Sequence, residues 1–182
     1  TTQSIIFNVA DVTGNPEADL SIPGGIKDFS IVHTNFPIIK TGAGTLSLSG
    51  VSTHIGPITL SAGTLALRAD NTLNTGNAIT LNGGSLDMGS FSNGVGTLIV
   101  ATNSVIVLST GKLAFADSSA LAWTNALTLT GTLGPQTLRF GTNANALTGK
   151  QISAITLDGG SVRIKSDGYL APGLKGTLMR IQ

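Results

Sequence analysis

The sequence predicts an all-β protein, a single-stranded right-handed parallel β-helix (β-solenoid) with atypical N-terminal and C-terminal capping segments. The strand phrase Gly-Thr-Leu-x-Leu occurs at residues 44–48 and 63–67, and its variants recur along the chain, which predicts a stack of similar coils. Aromatic residues are only 4% and charged residues only 10% of the 182 residues, as is typical of narrow, closely stacked strands. The rival architecture, an antiparallel sandwich, predicts two-residue hairpin turns, whereas residues 68–77 form a long, irregular linker.

The spacing and alternation of the phrases support the stack. Leu46 and Leu65 are 19 residues apart, and Leu65 and Leu86 are 21 apart, so one coil uses about 20 residues. Strand side chains alternate between the two faces, so Leu46 and Leu48 are predicted to point inward and Thr45 outward. The strand phrases are predicted at residues 44–48, 63–67, 84–88, 96–100 and 111–115, and their partner phrases at 58–60, 79–81, 105–108 and 127–129. Residues 37–138 are therefore predicted to form the parallel coils.

Residues 1–36 differ from these coils because they lack the Gly-Thr-Leu phrase. Strands are predicted at residues 4–9 and 28–32, with turn signals between them. The first segment of a stacked repeat is commonly atypical because it covers the open end of the core. Residues 1–36 are thus predicted to be an N-terminal cap or assembly segment. The strand at 4–9 could pair with the next subunit or fold back over its own first coil, and the sequence does not choose between them.

Residues 139–182 are predicted to form a C-terminal cap with a short helix and hairpin-like strands. Thr148 and Gln151 have the spacing of a capping box at the start of the helix. Residues 158–160 and 167–168 are hairpin-type turn sequences, and residues 176–181 are predicted to end the chain as a strand.

Residues 39–67 resemble the autotransporter-associated β-strand repeat, which occurs in passenger regions of bacterial autotransporters and in large secreted surface proteins. The resemblance rests on Lys40, on the Gly-x-Gly-Thr-Leu-x-Leu-Ser-Gly sequence at residues 42–50 and on Ala-Gly-Thr-Leu-Ala-Leu at residues 62–67. It weakens towards residue 115 and is absent from residues 1–36. The resemblance implies an extracellular or cell-surface β-helix with a structural or adhesive role, and it supplies no catalytic residues.

Composition excludes or disfavours several kinds of chemistry. The chain has no Cys, so it can form neither a disulfide nor a thiolate metal site. No apolar run approaches the ~18 residues of a membrane-spanning helix, so no transmembrane segment is predicted. The formal net charge of +1 gives no reason to expect a nucleic-acid partner. No cofactor or metal is predicted. The start at Thr1 fits a removed signal peptide or a trimmed chain.

Candidate catalytic residues are few and scattered. Asp70 and Asp87 would approach each other if neighbouring coils stack, but outward or turn positions in solvent are the favoured interpretation. His33 and His54 have no acidic or Ser partner at a recognisable spacing. Trp123 is interpreted as a core or coil-edge residue rather than a sugar-stacking one. We therefore expect no enzyme.

The charges suggest a function at the ends. Residues 1–28 hold four acidic residues against one lysine, whereas residues 139–182 hold six basic residues against two acidic ones. In a β-solenoid these segments lie at opposite ends, and complementary ends favour head-to-tail contact, although a chance imbalance remains the alternative. The predicted assembly interface comprises Ile5, Phe7, Val9, Asp11, Glu17, Asp19, Asp28, Arg163, Lys165, Lys175 and Arg180.

The function predicted from the sequence is a non-enzymatic, secreted structural protein that polymerises with itself, head to tail, into an extracellular fibre. One alternative is a surface adhesin or passenger-like stalk that binds a glycan, an extracellular polysaccharide or a cell surface. A more remote alternative is a polysaccharide-degrading β-helix enzyme.

Overall fold

The computed structural model describes residues 4–27 and 35–174. In chain order the elements are β1 (Ile5–Asn8), β2 (Leu20–Ile22), β3 (Ile38–Thr41), β4 (Thr45–Leu48), β5 (Ile58–Leu60), β6 (Thr64–Leu67), β7 (Ile79–Leu81), β8 (Ser85–Asp87), β9 (Ser92–Gly94), β10 (Leu98–Val100), β11 (Ser104–Val107), β12 (Lys112–Phe115), β13 (Leu127–Thr130), β14 (Leu138–Phe140), α1 (Gly149–Ser153), β15 (Ile155–Leu157), β16 (Gly160–Ile164) and β17 (Leu170–Pro172). Within this part of the chain, α1 is too short to cross a membrane and no other helix is present that could do so.

The strands stack into three sheets along one axis. Sheet A has the order β1-β3-β5-β7-β10, sheet B the order β2-β4-β6-β8-β11-β13-β15-β16-β17, and sheet C the order β9-β12-β14. Every pair up to β15 is parallel, and only β15–β16 and β16–β17 are antiparallel strand pairs. The predicted all-β parallel solenoid is confirmed, with about five turns. Its right-handed sense stays a prediction.

Stacking places like residues over one another to form the core. In sheet A one inward column runs through Ile5, Ile38, Ile58, Ile79 and Leu98. The aliphatic core extends along the whole axis and includes an aromatic group beneath sheet C, where the rings of Phe115 and Phe140 stack with centroids 5.0 Å apart. Regular stacking of this kind follows from the alternation of apolar and polar residues in each phrase.

The second half of the stack departs from the predicted phrase classes. Residues 96–100 were expected to stack with the Gly-Thr-Leu strands, yet β10 lies on β7 in sheet A. Residues 105–108 were expected among the partner phrases, yet β11 lies on β8 in sheet B. The strand at 111–115, β12, belongs to sheet C. The physical reason is the extra strand β9, which gives the later coils a third side and moves each following phrase to another sheet.

Sheet B is buried on both faces near its N-terminal end. Thr45 lies on the outward face as predicted, with Ser47 on the same face, but both are buried, as is Ala66. These residues share a groove with residues 16–18, which lie against this part of the outer face. The outer surface of the first coils is thus partly covered by the chain itself.

The corner between sheets A and B explains the lysine and glycines of the repeat. The Lys40 side chain is 1% exposed, and its ammonium donates to the carbonyl oxygens of Thr41, Gly42 and Ala62 at 2.9, 2.8 and 3.1 Å. Desolvation lowers the pKa of Lys40, and the charge of Asp19 opposes that shift. Gly63 has φ +63°, and a Cβ there would lie 2.7 Å from the Lys40 Nζ atom. The corner therefore requires a residue without a side chain beside the buried ammonium.

The predicted C-terminal helix and turns are confirmed. Thr148 is the N-cap of α1, and its reciprocal bonds with Gln151 complete the capping box. Asp158 and Gly159, at φ +46° and +82°, form the β15–β16 hairpin turn, and Gly168 has φ +81° in the next. The strands predicted at residues 28–32 and 176–181 lie outside the described residues.

Candidate assembly site at the ends of the solenoid

The N-terminal end of the solenoid exposes the first member of two core columns. Ile5 is 40% exposed, whereas Ile38, the next residue of its column, is 3% exposed. In sheet B the column begins at Leu20, which is also 40% exposed, and continues to Leu46, which is 1% exposed. Each column therefore begins with a partly exposed residue at this end, and among the described residues no strand covers it.

The same end presents a free backbone edge. The N–H groups of Ile5 and Val9 donate to the carbonyl oxygens of Pro37 and Thr41 at 2.9 and 3.0 Å. Because N–H groups alternate in direction along a strand, those of Ile6 and Asn8 point away from β3. In the described part of the chain no strand pairs with that side of β1. The strand predicted at residues 4–9 thus pairs with its own coil, and we call its other side, which has no strand partner among the described residues, the open edge.

Two of the acidic residues at this end accept hydrogen bonds from backbone N–H groups. The Asp19 carboxylate accepts from the backbone N–H of Thr45 at 2.8 Å, from that of Val12 at 2.8 Å and from that of Thr13 at 3.0 Å. The Thr45 bond is the largest cause, followed by the Val12 bond, of a pKa lowered to about 2. Asp11 accepts from the Gly14 N–H at 2.7 Å. These carboxylates therefore fix the conformation of the loop between β1 and β2 and also give it a negative charge.

Glu17 lies on a groove of about 430 Å³ between the 16–18 segment and the outer face of sheet B. On the opposite wall, the Arg68 guanidinium and the Asp87 carboxylate form an ion pair at 2.5 Å. Thr45 and Ser47 add hydroxyl groups to the groove. The groove therefore offers both charges and hydroxyls, but no aromatic surface.

The C-terminal end is closed. The hairpin strand β16 runs antiparallel to β15, and Val162 and Leu170 from β16 and β17 are buried over the last coil. On the other side, the amide of Gln151 donates to the carbonyl oxygens of Ser118 and Leu121 at 2.8 and 2.9 Å. These two hydrogen bonds attach α1 to the preceding coil. The core at this end is therefore covered by α1 and by the β16–β17 hairpin.

Basic side chains gather on the closed end. Arg163 is exposed on β16, and Lys165 forms an ion pair of 2.9 Å with Asp167. The guanidinium of Arg139 and the ammonium of Lys165 lie 5.6 and 5.8 Å from the ring centroid of Tyr169, which are cation–π distances. Hydrogen bonds from Lys165 and from the backbone lower the pKa of Asp167. The end surface is thus positively charged, and several of its side chains contact one another.

The structure separates the predicted interface residues into groups. Ile5, Phe7, Val9, Asp11, Glu17 and Asp19 belong to the first coil, and Arg163 and Lys165 to the last hairpin, so the opposite signs do lie at opposite ends. Val9 is buried, and its role at this end is packing. Asp28, Lys175 and Arg180 lie outside the described residues.

The interface predicted from the sequence did not include Leu20 or Ile6. Ile6 lies on the free edge of β1 and is 61% exposed. The signal that could have identified them is column register. Leu20 precedes Leu46 as Leu46 precedes Leu65, and a first member of an inward column has no neighbour on one side. Register was not readable there because residues 1–36 lack the Gly-Thr-Leu phrase.

The candidate catalytic residues occupy structural positions. Asp70 accepts from the Ser92 N–H at 2.6 Å, and Asp87 accepts from the Gly89 N–H at 2.9 Å besides its pair with Arg68. Trp123 is a core residue as favoured, with its indole N–H donating to the Leu98 carbonyl oxygen at 2.9 Å. Within residues 4–27 and 35–174, no three His, Asp or Glu side chains are grouped so that they could hold a metal.

Together the three sheets, the polar outer surface and the asymmetric ends define the chain as a parallel β-solenoid. Residues 38–67 match the family model of the passenger-associated-transport-repeat, which confirms the resemblance seen at residues 39–67. This stretch comprises β3 to β6 and the Lys40 corner, so the matched repeat is two stacked coils. The match covers 30 of the 182 residues, so it identifies this stretch of the chain and not a family for the whole chain. No curated protein and no solved structure matches the chain significantly.

Proposed function

We propose that the protein is a non-enzymatic extracellular structural subunit that assembles head to tail into a fibre. The observation that carries the proposal is the asymmetry of the ends: an open, apolar, acidic coil at one pole and a closed, basic hairpin at the other. The passenger-type repeat supports an extracellular or cell-surface location.

The energetics favour a contact that uses several kinds of interaction. Fully burying one Ile or Leu side chain contributes about 1.5–3 kcal/mol, and Ile5, Ile6 and Leu20 are already partly covered. Association costs about 4–15 kcal/mol in lost freedom. The apolar end alone therefore cannot hold two subunits firmly, and backbone pairing at β1 with charge attraction has to supply the rest.

A contact between unlike ends has a geometric consequence. It is heterologous, so each bound subunit presents a fresh open end and a fresh closed end. Because the ends lie at opposite poles of the stack, repeated addition does not close on itself and gives a linear fibre rather than a ring.

Sedimentation velocity and negative-stain electron microscopy of the full chain over a concentration series test the proposal. We expect species that lengthen with protein concentration and shorten as salt is raised, because surface charges are screened within about 8–10 Å at 0.1–0.15 M salt. Arg163→Glu combined with Lys165→Glu should reduce assembly, and Lys112→Glu, an exposed lysine on β12, the middle strand of sheet C, is the matched control. Monomers at all concentrations and salts would overturn the fibre.

The groove beside Glu17 favours a second candidate function, a stalk that binds a polyhydroxylated ligand such as a glycan. Its charges and hydroxyls suit hydrogen bonding to sugar hydroxyls, and its volume of about 430 Å³ admits a short saccharide. Binding of an oligosaccharide by the monomer, lost on Arg68→Ala, would support this function. A glycan array with no bound ligand would contradict it.

A further inference from the structure

We infer that residues 179–182 of one copy add as a parallel strand to the open edge of β1 in the next copy, an inference that rests on the proposed head-to-tail fibre. The occupant is the end segment Met-Arg-Ile-Gln, which follows the last described residue, Leu174, after four intervening residues.

The edge of β1 specifies what can pair with it. Ile5 and Phe7 stand in inward columns over Ile38 and Lys40, while Ile6 is outward and exposed. A strand added there must place apolar residues at two alternating positions and tolerate a polar residue between them.

The end segment has this pattern. Met179 and Ile181 alternate with Arg180 and Gln182, and the segment follows Gly-Thr-Leu, the phrase that opens the solenoid strands β4 and β6. The register that follows places Met179 beside Ile5, Arg180 beside Ile6, Ile181 beside Phe7 and Gln182 beside Asn8. In this register Ile181 and Met179 cover the open column ends, and the charged Arg180 stays outward.

The length of the segment after Leu174 determines whether it can pair with β1 of its own chain or only with β1 of another copy. Sheet B has six strand spacings from β2 to β15, which is about 29 Å, and β17 lies beyond β15 in the order of the sheet. Met179 is five residue steps beyond Leu174, and five steps span at most about 18 Å when fully extended. Met179 therefore cannot reach β1 of its own chain, whereas a second copy placed end to end brings that edge beside Leu174, which is 84% exposed.

Charge favours the same placement. Lys175 and Arg180 are basic, and the loop that follows β1 contains Asp11 and Glu17. Opposite signs steer the segment towards the end that carries the open edge and away from the basic end where it originates.

Deletion of residues 175–182 separates this inference from the fibre itself. We expect the truncated chain to retain the β-sheet circular dichroism spectrum and the melting temperature of the full chain but to remain monomeric where the full chain forms fibres. If the full chain forms no fibres, the proposed function fails. If both chains form fibres equally, the fibre stands and the strand addition is overturned.

Cysteine pairing tests the register, and the chain has no Cys to interfere. Neighbouring strand positions lie within the Cα distance that a disulfide requires. An equimolar mixture of the single variants Ile6→Cys and Arg180→Cys should give a disulfide-linked heterodimer on mild oxidation, at a yield at least fivefold above that from Ile6→Cys with Met179→Cys. Met179 is the matched control because a shift of one residue moves the thiol to the other face. Equal yields from the two mixtures, or no link in a mixture that forms fibres, would overturn the register.

A synthetic peptide of residues 174–182 provides an independent measurement on the full chain. In excess it should occupy the open edge and lower the rate of fibre elongation at least tenfold, whereas a scrambled peptide of the same composition should not. An unchanged rate at saturating peptide would contradict strand addition at β1.

Discussion

The first coil and the C-terminal cap terminate the same stack in opposite ways. At the first coil, β1 and β2 continue the parallel ladders in register, and within residues 4–27 and 35–174 no further strand lies beyond them. At the other end, β16 reverses direction, and the hairpin and α1 cover the core. The comparison teaches that capping a solenoid requires a change of strand direction or a helix. A coil that merely repeats the pattern leaves an end that can accept another strand.

The largest expected effect is on the free energy of unfolding, and it differs between an interior coil and the first coil. Leu86→Ala removes a fully buried member of the sheet B column and should lower the free energy of unfolding by about 2–5 kcal/mol. Leu20→Ala alters the exposed first member of the same column and should cost less than half as much. Urea denaturation of both variants measures the two losses. Equal losses would mean that the first coil is covered in the monomer.

Lys40 is expected to contribute nearly as much as a buried leucine. In Lys40→Met the carbonyl oxygens of Gly42 and Ala62 lose the ammonium donor, whereas that of Thr41 keeps the Val9 N–H, and leaving a buried polar group unsatisfied costs about 1–3 kcal/mol. We expect a loss of about 2–4 kcal/mol in urea denaturation. Lys112→Met is the control because Lys112 is exposed, and it should change stability by less than about 0.5 kcal/mol. If the two variants are equally stable, the buried ammonium is not needed at the corner.

The sequence predicts those parts of the fold that are encoded by patterns within a few neighbouring residues. The strands β4, β6 and β8 were predicted within one or two residues because each repeats a phrase that encodes both its turn and its inward leucines. The capping box of α1 was predicted because two side chains three positions apart suffice to define it. Both signals act over a few residues.

The features that were missed depend on distant parts of the chain. Strand β9 has the sequence Ser-Asn-Gly, which has no preference for strands, and it exists because β12 pairs with it and because Asp70 binds the Ser92 N–H. Its presence changed the sheet assignment of β10 and β11. Likewise, the loop around Asp19 is fixed by a bond to Thr45, 26 residues away. No local pattern could reveal either contact.

The stability of the closed end should depend on the side-chain amide of Gln151. Gln151→Ala removes the bonds from α1 to Ser118 and Leu121 and also the capping contact with Thr148. We expect a loss of about 1–3 kcal/mol, because the Leu121 carbonyl oxygen loses its donor and that of Ser118 keeps only the Leu121 N–H. Hydrogen exchange should show faster exchange confined to residues 146–172, with the first coil unchanged. Gln136→Ala, an exposed glutamine near Lys112, is the control. Uniform acceleration over the whole chain would contradict a separately fastened cap.

The smallest expected effect is the pH dependence of the stability of the first coil. The pKa of Asp19 is lowered from 3.8 to about 2 in the folded chain, so the unfolded chain binds more protons between these values. The contribution of Asp19 is therefore complete above about pH 4 and is lost as the pH falls through about 2. We expect limited proteolysis with pepsin to cut the loop of residues 11–19 faster at pH 2 than at pH 4, after correction for the activity of pepsin itself on a denatured casein substrate at each pH. Asp19→Asn should be cut fast at both, whereas Asp158→Asn, in the β15–β16 turn, should behave as the unaltered chain. If loop cleavage in the unaltered chain accelerates at pH 2 no more than casein cleavage does, the Asp19 bonds do not hold the first coil against the stack.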